Sequence, residues 1–203
     1  MNKEFLSVVV GVALAFPGAA SAKDRTFEFT GTVTYAADSG FAAVGAPIRG
    51  RFSYDDRTRT ALRYAGFAGY AFPESFALSA TVAGHTVVAD TLRVDLWNDY
   101  GGNVEDFVNI EGGPVLVDDE LHVSGSFGLM LASPPGATKV FKNTKLPSSY
   151  DIEQFDSPLT SGWLQSDGSQ SGTLVHFSVD SIVVVDRCGE RDDRAAGEKC
   201  SAH

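Results

Sequence analysis

Cysteine, histidine and basic charge are all scarce in this chain, and each scarcity narrows the chemistry open to it. The two cysteines, Cys188 and Cys200, both lie near the C-terminal end. No web of disulfides can hold the body together, so folding rests on a hydrophobic core. Lys and Arg number 16 against 26 Asp and Glu, for a net charge of -10. That balance argues against nucleic-acid backbones, which demand clustered cations, and against anionic membrane surfaces. Of four histidines, His203 sits in the tail, while His85, His122 and His176 share no metal-binding or catalytic spacing. There is no Gly-x-Ser-x-Gly elbow, His-Glu-x-x-His pair, phosphate-binding glycine loop or dinucleotide fingerprint. Amphipathic helix periodicity is nearly absent as well.

The one long apolar stretch, Phe5 to Phe16, is at the start. It is shorter than the roughly 20 residues that span a bilayer. Lys3 precedes it, Pro17-Gly18 breaks it, and Ala20-Ser21-Ala22 supplies a small-x-small ending. These three parts read as a secretory signal peptide over residues 1–22, cleaved after Ala22. The expected mature domain is 23–186, followed by a charged tail, 187–203, beginning at Arg187. In an oxidising compartment Cys188 and Cys200 are expected to pair. Their small loop would restrict the unfolded chain by about 3 kcal/mol.

Between these ends, alternation with a period of two dominates. Phe27, Phe29, Val33 and Tyr35 share one face, as do Ile48, Phe52 and Tyr54, then Phe76, Leu78, Ala80 and Val82. Ala83-Gly84 predicts a hairpin into His85–Ala89. Leu92, Val94 and Leu96 alternate with Arg93, Asp95 and Trp97. Two longer strands are expected, one presenting Leu121, Val123, Gly125, Phe127, Leu129 and Leu131, the other Val175, Phe177, Val179, Ser181, Val183 and Val185. Strands that bury one side and wet the other belong to antiparallel sheets. The fold class is therefore all-β, an antiparallel two-sheet β-sandwich (jelly-roll-like or Ig-like), with a partly closed barrel as the alternative. Residues 139–162 lack a period and contain Pro147 and Pro158, an irregular excursion with a short helical turn expected near Asp151 to Phe155.

Two groups of residues point toward binding. Asp95, Asn98, Asp99, Asn103 and Asp106 concentrate oxygen ligands beside Gly101-Gly102. Oxygen-rich loops of this kind bind Ca²⁺, although the spacing is not that of an EF-hand. The run Tyr64, Phe67, Tyr70, Phe72 and Phe76, with Trp97 and Trp163 elsewhere, contains rings able to stack on the apolar faces of sugars. Tyr64, Tyr70, Trp97 and Trp163 are the stacking candidates, weighed against simple packing in a core. No residue is singled out as catalytic, because the many carboxylates offer no distinguished pair for a glycosidase.

Several segments resemble uncharacterised secreted bacterial β-rich proteins of the PEP-CTERM-associated type. They are Phe29-Thr30-Gly31-Thr32-Val33, the stretch from Val44-Gly45-Ala46-Pro47 to Ser53-Tyr54-Asp55, Asn98-Asp99-Tyr100, and Leu146-Pro147-Ser148-Ser149-Tyr150 continuing to Phe155. The resemblance implies a secreted β-rich domain associated with the envelope or with exopolysaccharide, and it carries over no catalytic residue. The sorting signal of that group does not follow Val185. The expectation is a freely secreted or periplasmic, non-catalytic binding or structural module. Its alternatives are a carboxylate-dependent, glycosidase-like hydrolase and a calcium-stabilised carbohydrate-binding module.

Overall fold

A computed structural model describes residues 24–37, 41–73, 77–100, 105–122, 125–137, 140–165 and 173–185. Residues 1–22, expected to be a signal peptide, together with Asn103, both cysteines and residues 187–203, lie outside the described residues. The strands are β1 (Asp24–Ala36), β2 (Pro47–Asp55), β3 (Leu62–Tyr64), β4 (Phe67–Phe72), β5 (Leu78–Val82), β6 (His85–Ala89) and β7 (Leu92–Tyr100). They continue with β8 (Glu105–Gly112), β9 (Val115–Val117), β10 (Glu120–His122), β11 (Ser126–Ala132), β12 (Ser161–Gln165), β13 (Thr173–Phe177) and β14 (Ser181–Val185). The described residues contain no α-helix, and therefore no helix long and apolar enough to cross a membrane.

Every ladder is antiparallel, and the strands run β10-β9-β6-β5-β2-β1-β13-β12-β11-β8-β7-β4-β3, with β14 also on β1. The two ends of this order do not pair, so the sheet is not closed into a barrel. It folds over instead into two layers hinged on β1. Residues 24–32 of β1 pair with β2, and Thr26–Thr30 pair with β14. From Val33 onward the same strand pairs with β13 in the second layer. Cross-layer rings mark the core: Tyr54 lies 5.7 Å from Phe72, and Phe29 lies 6.3 Å from Phe127.

Two of the chain's crossings between the layers lie side by side, one within β1 and one after β13. As β1 passes over, Ser178–Asp180 carries the return strand from β13 to β14. The Ser178 amide donates to the Thr32 carbonyl at 2.9 Å, and the Asp180 amide donates to Thr30 at 2.8 Å. Gly31 sits between these bonds, where a Cβ would stand 1.9 Å from the Ser178 carbonyl oxygen. Only a residue without a side chain permits so close a pass.

Crossings and register shifts correct three sequence expectations. Val183 is 54% exposed, while Ile182 and Val184 face inward, because the alternation resumes one residue out of phase after Ser178–Asp180. Tyr35 is 51% exposed, since a register shift follows Val33. The single long strand from Leu121 is two: β10 pairs with β9 in the first layer and β11 pairs with β8 in the second, leaving Leu121 exposed.

The excursion over 140–160 is part of the core. Leu146, Tyr150 and Phe155 are buried, and Ile152–Phe155 forms the expected turn as a 3-10 helix. The Tyr54 hydroxyl donates to the Pro147 carbonyl at 2.7 Å and lies 2.9 Å from that of Tyr150. Burial, reinforced by Tyr150, holds Tyr54 well above the usual tyrosine range, and burial likewise raises Tyr150.

Candidate functional site

Antiparallel register puts residues of neighbouring strands into rows across a sheet. On the outer face of the second layer, one row joins Tyr64 of β3, Phe67 of β4, Trp97 of β7 and Phe107 of β8. The Tyr64 and Phe67 rings stack at 4.5 Å, and Phe67 meets Trp97 at 5.0 Å. Phe67 is the buried floor of this row, Tyr64 is 58% exposed, and Trp97 and Phe107 are half-buried. A second aromatic group begins two strands beyond β8, on β12, where the pairings Gly128–Trp163, Trp163–His176 and His176–Tyr35 continue one row. Trp163 lies flat on the sheet because Gly128 beneath it has no side chain; a Cβ there would meet the ring at 2.6 Å. Its indole N–H donates to Ser126 Oγ at 3.2 Å.

Between the two aromatic groups runs a polar band. Arg93 Nε donates to Asp95 Oδ1 at 2.9 Å and lies 2.8 Å from its Oδ2, and the Asn109 amide donates to Glu111 at 3.3 Å. Rings flanking a strip of donors and acceptors give the face both an apolar and a hydrogen-bonding character. The outer face of the first layer differs: its depression of about 420 Å³ is lined by Thr30, Arg49, Arg51, Thr81 and Thr86 among others.

Three of the four stacking candidates, Tyr64, Trp97 and Trp163, stand on this outer face. Tyr70 does not, and that assignment is corrected. It occupies an inward position of β4, is 3% exposed, and donates its hydroxyl to the Thr144 carbonyl at 2.7 Å. Its ring is core and its hydroxyl is an anchor for the excursion. Phe107, His176 and Tyr35 join the face without having been singled out. Phe107 and His176 could have been placed by counting alternation, but Tyr35 could not, because the shift after Val33 reverses it.

The four described residues of the calcium set do not converge: Asp95 is separated from Asn98, Asp99 and Asp106. Asp95 and Asp106 fall on opposite faces of the second sheet, as the inward row Asp106, Val108 and Ile110 requires. Asp95 is paired with Arg93. Asp106, 2% exposed, accepts the Asp99 amide at 2.9 Å and the Phe141 amide at 2.7 Å, and its own amide donates to Ser133 Oγ. The Asn98 side chain, with its amide turned inward, donates to the Phe141 carbonyl at 2.8 Å and to Asp106 at 3.3 Å. These contacts tie the excursion to the β7–β8 hairpin through charge-assisted bonds. Among the described residues no group of three or more His, Cys, Asp or Glu side chains is placed to hold a metal ion.

One further titratable pair is well defined. His85 Nδ1 lies 2.5 Å from Asp118, and the imidazole stacks on Phe41 at 4.4 Å. The hydrogen bonds from His85 and from the Thr86 amide hold the Asp118 carboxyl below its ordinary range. Comparison of the chain with protein-family models, curated proteins and solved structures finds no match.

Proposed function

We propose that this protein is a secreted, non-catalytic module that binds saccharide chains on the outer face of its second sheet. The aromatic row Tyr64–Phe67–Trp97–Phe107 carries this reading, because an exposed ring and two half-buried ones seated on a buried ring of a rigid sheet supply an apolar platform at little entropic cost. The adjacent Arg93, Asp95, Asn109 and Glu111 offer hydrogen-bond partners for hydroxyl groups. The two buried carboxylates among the described residues, Asp95 and Asp106, are engaged by a guanidinium and by amides. This favours binding over carboxylate-dependent hydrolysis. Export behind residues 1–22 and the resemblance to PEP-CTERM-associated proteins fit a partner in exopolysaccharide or the cell envelope.

The test is retardation of the mature domain in gels containing soluble polysaccharides, for the native protein and for Tyr64→Ala and Trp97→Ala. Each lost ring is expected to weaken binding about 10-fold, near 1.4 kcal/mol, with the circular dichroism spectrum unchanged. Native retardation that both variants retain in full would refute the assignment to this face.

A further inference from the structure

We infer that the saccharide bound on this face is acidic, its carboxylate or sulfate groups received by a basic cradle at the β3 edge of the same sheet; the inference rests on the saccharide reading above. The chain is strongly acidic, yet Arg57, Arg59, Arg63 and Lys145 converge on one depression of about 570 Å³. Its only carboxylate, Asp56, accepts the Arg25 guanidinium at 3.1 Å. Among the described residues none of the four cations forms an ion pair, although acidic side chains outnumber basic ones throughout the chain. Four cations gathered without internal partners focus a positive potential on whatever enters.

The cradle is also fixed in shape. The Arg57 amide donates to Asp55 Oδ1 at 2.9 Å, the Thr58 amide to the Asp55 carbonyl at 3.0 Å, and the Ala61 amide to Gly69 at 2.8 Å. On the other side, Lys145 sits between two anchored carbonyls, Thr144 held by the Tyr70 hydroxyl and Pro147 by that of Tyr54, both at 2.7 Å. A site whose backbone is already ordered gives up less entropy on binding. The cradle also adjoins the aromatic face. β3 is the last strand in the sheet order, and alternation turns Tyr64 into the aromatic row while its neighbour Arg63 faces the cradle. A saccharide chain stacked on Tyr64 and Trp97 and continuing past this edge brings its charged substituents to the guanidinium groups, which recognise planar and tetrahedral oxyanions alike.

Dextran, carboxymethyl dextran and dextran sulfate share one backbone and differ in charge, so titration calorimetry against the three isolates the anion and separates its two chemistries. The native mature domain is expected to bind at least one charged polymer about 10-fold or more tightly than dextran, with affinity falling as salt rises. Arg57→Gln combined with Arg59→Gln is expected to remove most of that preference, and Trp97→Ala to weaken binding to every polymer that is bound. Equal affinity for dextran, unchanged by the arginine replacements, would overturn the acidic assignment while sparing the aromatic reading. Binding to charged polymers that ignores Trp97→Ala, or equally tight binding to duplex DNA or to phosphatidylglycerol vesicles, would overturn the acidic-saccharide inference. No binding to any of the three polymers would also overturn it. The two arginines lie in a surface loop, and unchanged circular dichroism confirms that their replacement leaves the fold intact.

Discussion

Replacing Gly31 with alanine tests the double crossing on which the two layers depend. The added Cβ would lie 1.9 Å from the Ser178 carbonyl oxygen and 3.1 Å from Ile48 Cγ2. Relief needs a backbone displacement of more than about 1 Å, because relaxed carbon–oxygen contacts lie near 3.3 Å. The bonds flanking the contact, Asp180 to Thr30 at 2.8 Å and Ser178 to Thr32 at 2.9 Å, cannot both survive such a shift. Each is worth about 1 kcal/mol, and overpacking in a close-fitted interior adds about 1–3 kcal/mol. The expected loss is about 3–5 kcal/mol, a large part of the roughly 5–15 kcal/mol that stabilises a domain. For a chain of this size that corresponds to a fall in Tm of about 6–20 °C. Urea and thermal unfolding followed by circular dichroism measure it. Gly84→Ala serves as the control, since Gly84 has φ +92° but nothing within 4 Å of its would-be Cβ; it should cost only about 1–2 kcal/mol of backbone strain. A Gly31→Ala variant within about 1 kcal/mol of the native protein would refute the packing argument.

Tyr54→Phe removes the donor to Pro147 and the partner of Tyr150, and should destabilise by about 1–3 kcal/mol in urea titrations, more than Tyr150→Phe, which removes one bond. Both phenols are raised in the folded state, so their contribution is fully present below the unfolded tyrosine value of about 10 and is lost as pH climbs through the folded values. Alkaline titration by tyrosinate absorbance should show two groups ionising late, together with unfolding. Asp106→Ala strands the Asp99 and Phe141 amides and should cost about 3 kcal/mol. Because those amides already hold the carboxylate, a chelator should leave the native Tm unchanged, and a rise in Tm with added Ca²⁺ would contradict this.

The sheet strands were legible in the sequence wherever one strand stays in one layer. Leu92, Val94 and Leu96 are buried as their alternation requires, and Ala83-Gly84 turns β5 into β6 with both residues at positive φ. Misreadings fall where the chain changes layer or register. Alternation is a local signal and persists through a crossing, whereas the direction of the core does not; hence Tyr35, Leu121 and Val183. The polar cluster misled for a related reason. Asp95 and Asp106 are close in sequence, yet strand parity puts them on opposite faces once β7 and β8 pair. The rings of the face were visible as types, but Tyr70 separates from Tyr64 only by the parity of β4 after the turn at Gly66. The basic cradle had a partial signal in the spacing of Arg57, Arg59 and Arg63, masked by the acidity of the whole chain. Lys145 joins them only through the tyrosine anchors of the excursion.

Both tryptophans of the chain, Trp97 and Trp163, stand on the proposed binding face, so it carries its own reporters. The most direct measurement is nitrogen–proton correlation NMR of the mature domain, following the two indole N–H signals during titration with a bound polysaccharide. The account predicts that the Trp97 signal shifts progressively, accompanied by amides of Phe67, Asp95 and Asn109. A saturable titration that leaves both indole signals in place, with changes gathered around Arg49 and Thr81 on the first layer, would contradict it.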